Sequence, residues 1–281
     1  MKSTLLNNNL ARSGPFDRCQ YDEEKFQKLM NRPEATDDLV IYFTPRSGSS
    51  WLTQALQSHG SLGRAGEFFN PNFIPNIAGK MGASTLDEYT CGARRKLQKG
   101  GVFSFEITYY QLKRVFEEEE VFLQYFGGAR SAWLIRRDIV AQAVSLAKKD
   151  RTKIGHSTQL KDKSKHETDS VFEYDVDHIR KWLKHIHTAE VKTERFMSRF
   201  GISPLRISYE GMMGKGAIES VGQIARHLDR DDLSVLLNAD LPEKLGTSQN
   251  EEYAERFRKD ASREIQEIED RRGPWIDLLQ D

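Results

Sequence analysis

The sequence predicts an α/β fold, a central parallel sheet flanked by helices, with a P-loop-like strand–loop–helix unit near its start. Three observations predict it. Short apolar runs rich in β-branched and aromatic residues recur at 38–44, 100–108, 131–137 and 203–210. Stretches of helical period separate them, so strand and helix alternate, which is the pattern of a parallel sheet. Hydrophobic residues make up 38% of 281 positions, enough for a sizeable core in one α/β domain.

The elements follow in order. Residues 1–20 read as an arm without regular structure, and 21–281 as one domain. "YDEEKFQKLM" is a short amphipathic helix that Asn31-Arg32-Pro33 ends. "DLVIYFT" is a buried strand, and the loop and helix of "PRSGSSWLTQAL" follow it. "GEFFNPNFIPNIAGKMG" is an apolar, Gly- and Asn-rich loop, suited either to lining a pocket or to covering a core edge. In "STLDEYTCGARRKLQ", Thr85-x-x-Glu88 is a capping box that starts a helix. "GGVFSFEIT" is the second strand, "VFEEEEVFLQYFGG" a single helix stopped by glycines, and "SAWLIRR" the third strand. Asp138 caps the helix "DIVAQAVSLAKK". Residues 150–168 are polar and Lys-rich, either a mobile lid or a solvated excursion. A long helix is expected over 169–199, a strand in "SPLRISYE", a helix in "GAIESVGQIARHLD" and one C-terminal helix over about 250–275.

Charge and cysteine content narrow the function classes. Lys+Arg and Asp+Glu both number 42, so no basic excess exists for a nucleic-acid contact. The two cysteines, Cys19 and Cys91, have no metal-ligand spacing and suit a reduced, cytoplasmic setting. The longest clean apolar run, Leu39 to Phe43, is far too short for a transmembrane segment.

In an open parallel sheet, ligands bind at the carboxyl ends of the strands. The loop at 44–51 sits there. Small residues between a strand and a helix form a nest of N–H groups, and the helix adds its positive end. Gly48 permits the turn, Ser49 and Ser50 offer hydroxyls, and Arg46 brings a charge, which together suit a tetrahedral anion. An ordinary turn with a serine cap would use the same residues. The Walker pattern G-x-x-x-x-G-K-[ST] is absent, which counts against a nucleotide kinase or other phosphotransferase. In "WLIRRDIVAQAVSL", Arg136 and Arg137 take opposite faces of a strand. Ser145 lies two helical turns after Asp138, on a face shared with Gln142.

Pro45-Arg46-Ser47-Gly48-Ser49-Ser50-Trp51-Leu52 after a strand resembles the 5′-phosphosulfate loop of sulfotransferases that use 3′-phosphoadenosine 5′-phosphosulfate (PAPS). The spacing of Arg137 and Ser145 resembles the Arg-x7-Ser motif with which those enzymes bind the 3′-phosphate. Within that group the sequence is most similar to the bacterial trehalose 2-sulfotransferase family. "TPRSGSSWL", "GRAGEFFNP", "GVFSFEI", "RRDIVAQAVSLAKK", "ISYEGM" and "NEEYAERFR" match its blocks in order, over about residues 38–260.

The resemblance implies specific roles. The N–H groups of residues 47–51 would hold the 5′-phosphate, Arg46 would lie at the transferring sulfuryl group, and Trp51 would stack on adenine or else belong to the core. Glu67, in a Gly-x-x-x-Glu-Phe-Phe setting, would be the general base for an acceptor hydroxyl, with Phe69 and Glu106 on the acceptor side. The implied acceptor is a sugar or glycolipid, the implied assembly a homodimer, and no metal is required. Ser208 and Tyr209 fall near the nucleotide. Glu106 is a departure: related enzymes tend to carry a basic residue in this strand, so Glu106 is a second base, a hydroxyl acceptor or an arginine's partner. A non-catalytic nucleotide-binding protein is the other class compatible with these motifs.

Overall fold

A computed structural model describes residues 14–153, 169–230 and 246–281. Most of the expected arm and most of the polar stretch 150–168 therefore lie outside the described residues.

Four parallel strands form the sheet: β1 (Asp37–Phe43), β2 (Val102–Ile107), β3 (Arg130–Ile135) and β4 (Leu205–Ser208). Their order is β2-β1-β3-β4. The chain leaves β1 to add β2 on one side and later β3 on the other. The switch point, where the connections diverge and leave a crevice, therefore lies at the carboxyl end of β1. The loop at 44–48 occupies that end.

Strand alternation divides the core. Leu39, Ile41 and Phe43 of β1 pack with Val102, Ala132, Leu134 and Ile207 on one face. Residues of α2 (Ser49–His59) and α9 (Tyr209–His227) join that face. Val40, Tyr42, Phe103, Phe105 and Trp133 pack on the other. There an aromatic cluster gathers around Phe69, whose ring centroid lies 4.8 Å from that of Phe105 and 5.2 Å from that of Phe116. The full burial of each such ring contributes on the order of 2–3 kcal/mol.

The remaining helices are α1 (Glu23–Met30), α3 (Ile74–Gly79), α4 (Leu86–Lys96), α5 (Tyr109–Phe116), α6 (Glu119–Phe126), α7 (Ile139–Thr152), α8 (Val176–Phe200), α10 (Ser248–Asp260) and α11 (Ser262–Ile276). The Thr85–Glu88 capping box and the Asp138 cap both form as expected.

Four expectations need correction. The single helix over 115–126 is two. Thr108 opens α5 earlier with its own capping box, and Glu117 turns the chain at φ 60°. The break moves Glu119 and Glu120 to the start of α6, where the helix dipole favours negative charge. The long helix starts at Val176, because Asp175 is extended and caps it through the His178 N–H. The fourth strand is shorter than expected: Ser208 ends it and caps α9, so that helix begins at Tyr209 and kinks at Gly216. The C-terminal helix is interrupted at Ala261, whose φ of −128° is not helical.

Candidate active site

The loop after β1 is built from unusual backbone. Gly48 has φ 90° and precedes α2 without any side-chain cap. A Cβ there would lie 2.5 Å from the Tyr209 ring, so glycine is required for both the turn and the close approach. Arg46 adopts φ 69°, uncommon for a residue with a side chain. The surroundings hold it there. Arg136 Nη1 donates to the Arg46 carbonyl at 3.3 Å, and the Arg136 guanidinium lies 4.8 Å from the centre of the Tyr209 ring. The loop thus rests on Tyr209. In the sequence only the block "ISYEGM" points to this residue, and the fold gives it a definite contact.

Helix α7 holds the other side of the loop. Gln142 is fully buried and donates through Nε2 to Thr44 Oγ1 and to the Pro45 carbonyl, both at 2.8 Å. One turn on, Ser145 Oγ accepts from Arg46 Nε at 2.9 Å. The two motifs that are 99 positions apart in sequence are therefore joined directly. Burial and the neighbouring Arg136 charge pull the Arg46 pKa below the ordinary arginine value. Ser47 is completely buried, and its hydroxyl has no partner among the described residues. A buried donor left unpaired costs about 1–3 kcal/mol, which an oxyanion at the loop would relieve. Ser49 is buried at the first turn of α2, Ser50 is half-buried, and Trp51 packs partly against the β1–α2 core.

Arg137 is differently engaged. Its Nε donates to Asp281 Oδ2 at 2.6 Å, and no hydrogen bond joins it to Ser145 among the described residues. Asp281 Oδ1 also accepts from the Ser208 N–H at 3.1 Å. These donors hold its carboxyl below the usual carboxylate range, against the opposing effect of burial. A carboxylate thus spans a guanidinium and the N–H at a helix start, the donor pair that would suit a phosphate. Glu210 does the same at α7, accepting from the N–H groups of Arg137 at 2.9 Å and Asp138 at 3.2 Å.

Behind this wall lies a buried ion pair that the sequence does not announce. Arg272 of α11 donates to Glu190 of α8 at 2.7 Å, and both side chains are almost wholly buried. The same guanidinium donates to the carbonyls of Arg136 at 2.6 Å and Arg137 at 2.9 Å. It fixes the end of β3 from below. The partners are 82 positions apart on helices full of charge, so no local pattern singles them out.

Across from the loop, Glu67 borders a cavity of about 270 Å³ with Phe68, Asn72, Phe73, Asn76, Ile77 and Lys80. Its Oε2 accepts from Asn70 Nδ2 at 2.8 Å and from Gln111 Nε2 at 2.6 Å. Gln111 also completes the Thr108 capping box. Thr108-x-x-Gln111 was therefore a readable signal, and the glutamine that completes the cap of α5 also orients Glu67. Phe69 lies in the aromatic core, fully buried, while Phe68 and Phe73 face the cavity. Glu106 is buried on the α2 side of β2, and burial together with the negative charge of Glu67 pushes its carboxyl up to about 8.

The family profile for the Stf0 sulphotransferases matches residues 92–260. The chain belongs to that family. As an Stf0 sulphotransferase it is a transferase whose chemistry is sulfuryl transfer. The match runs from α4 to the end of α10 and contains Glu106, Arg137 and Ser145. The loop at 44–51 and Glu67 precede it, so their resemblance to sulfotransferase motifs is a separate line of argument. No curated protein matches the sequence. No helix among the described residues is long and apolar enough to cross a membrane.

Proposed function

We propose that this Stf0 sulphotransferase moves the sulfuryl group of PAPS to a hydroxyl of a carbohydrate or glycolipid acceptor, a trehalose-like sugar being the type. The observation that carries the reading is the bond between Arg46 and Ser145, which brings the two anion-binding motifs to one end of the sheet. The residues fit such a donor: an unpaired buried hydroxyl, a glycine that lets the loop turn tightly against Tyr209 and two arginines. PAPS supplies a sulfuryl group on a phosphate leaving group.

The N–H groups of residues 47–51, with Ser49 and Ser50, hold the 5′ end, and Trp51 borders the base. Arg46 keeps a fixed positive charge where negative charge spreads during transfer. Arg137 exchanges Asp281 for the 3′-phosphate. Glu67 keeps Oε1 for the acceptor, since Asn70 and Gln111 both occupy Oε2. It accepts the hydroxyl proton as the acceptor oxygen attacks, and the exposed Phe73 and the amides of Asn72 and Asn76 position the sugar. By the same resemblance the enzyme works in the cytoplasm as a homodimer.

The test uses sulfur-labelled PAPS and an extract of acceptor carbohydrates. Wild-type protein should transfer label. Glu67→Gln should lose a hundredfold or more, the general-base contribution, while binding adenosine 3′,5′-bisphosphate as before. Transfer retained in that variant would remove Glu67 from the role. Binding without any transfer would favour a non-catalytic nucleotide-binding protein.

A further inference from the structure

Strand β2 is buried on both faces, and its alternation separates two environments. Phe103, Phe105 and Ile107 enter the aromatic core. Val102, Ser104 and Glu106 face the opposite way, towards α2 and the segment after it. Ser104 has a structural task there, its hydroxyl accepting from the Ala65 N–H at 2.9 Å. Glu106 is partnered on one side only, by a hydrogen bond with the Ser49 hydroxyl. Its side chain is 5% exposed, its Oε2 is buried without a hydrogen-bond partner, and no cation pairs with it among the described residues.

Two groups of the site face it. Glu67, from the segment after α2, brings a negative charge, and Ser49, from the first turn of α2, brings a hydroxyl. On the strand side, β1 places the apolar Ile41 in register with it. An ionised carboxylate in this position would be desolvated, next to a like charge and without a partner on Oε2, which costs several kcal/mol that the Ser49 hydroxyl offsets only in part. It would also repel any anion held by the loop that starts α2. A neutral carboxylic acid avoids all three penalties and has one O–H to donate.

We propose that Glu106 acts as an un-ionised acid that donates a hydrogen bond to the sulfuryl group held at the Arg46–Ser50 loop. This rests on the function proposed above and divides the two carboxyls between two tasks. Glu67 takes the acceptor proton. Glu106 keeps its own proton and stabilises the spreading charge without transferring anything. The arrangement explains why an acid is tolerated beside an anion site, and the raised pKa of about 8 agrees with it. The donor is lost when Glu106 ionises, so the enzyme should lose its grip on the sulfuryl group, though not on the rest of the nucleotide, as pH rises through about 8.

Two measurements test this. Infrared difference spectroscopy of the wild-type protein should show the carbonyl band of an un-ionised carboxylic acid at pH 7. The band should fade as pH passes about 8 and be missing from Glu106→Gln. A wild-type spectrum without it overturns the proposal. In parallel, PAPS and adenosine 3′,5′-bisphosphate are titrated from pH 7 to pH 9. The affinity ratio of the two should fall roughly tenfold in wild type and stay level in Glu106→Gln, whose amide keeps a donor at all pH values. A level ratio in wild type, or the same fall in the variant, sinks this inference and leaves the proposed function standing. If neither nucleotide binds, both fall together.

Discussion

The two sides of the site are built on opposite principles. On the loop side nearly every charge is already engaged: Arg46 with Ser145, Arg136 with a backbone carbonyl and a ring, Arg137 with Asp281. Two carboxylates, Asp281 and Glu210, occupy N–H and guanidinium donors that an anion could use. On the cavity side two carboxyls stand close together with amide donors on only one of them. The loop side thus gathers donors and positive charge, and the cavity side gathers carboxyls. In the proposed function, positioning and charge stabilisation belong mainly to one wall, and proton removal to the other.

The largest expected effect breaks the loop side from beneath. Arg272→Ala leaves Glu190 buried and unpaired, and frees the carbonyls of Arg136 and Arg137. Urea unfolding should show a loss of about 3–5 kcal/mol. A loss below about 1 kcal/mol would mean that the pair does not support the wall.

The next effect lies on the cavity side and depends on pH. Burial raises Glu106 from 4.5 in the open chain to about 8 in the fold. For a carboxyl with a raised folded pKa, its favourable contribution is complete below about 4.5 and is lost progressively up to about 8. Glu106→Gln lacks this dependence. Its stability relative to wild type should therefore rise by several kcal/mol between pH 4.5 and pH 8. A difference that does not change with pH would show that Glu106 ionises normally in the fold.

The two sides also differ in how much the sequence disclosed. All four strands were legible, because short apolar runs bounded by turn residues are local signals. So was the loop at 44–51, where Gly48 and the serines lie within a few positions of one another. The helix breaks at Glu117 and Ala261 were not legible, since helical period continues through both and tertiary packing decides where the chain bends. Ser145 was found through its spacing from Arg137, yet its bond is to Arg46. That partner depends on how α7 packs on the loop. Asp281, Glu190 and Arg272 had no local signature, because each acts on residues at least 73 positions away. Glu106 stood out as an acid in an apolar strand, but only the strand's phase against α2 shows that it is buried beside Glu67.

The smallest expected effect sharpens the loop side. Asp281→Asn withdraws a negative charge from Arg137, so adenosine 3′,5′-bisphosphate should bind roughly tenfold more tightly than to wild type. Weaker binding would mean that Asp281 orients Arg137 and does not compete with the ligand.

The same titration carries the most direct test of the central claim. Calorimetry compares adenosine 3′,5′-bisphosphate with ADP, which lacks the 3′-phosphate, on wild type and on Arg137→Ala. The account predicts that wild type prefers the bisphosphate, and that Arg137→Ala weakens it by about 2 kcal/mol or more while leaving ADP unchanged. Equal affinity for both ligands in wild type, or a bisphosphate affinity indifferent to Arg137, would contradict it.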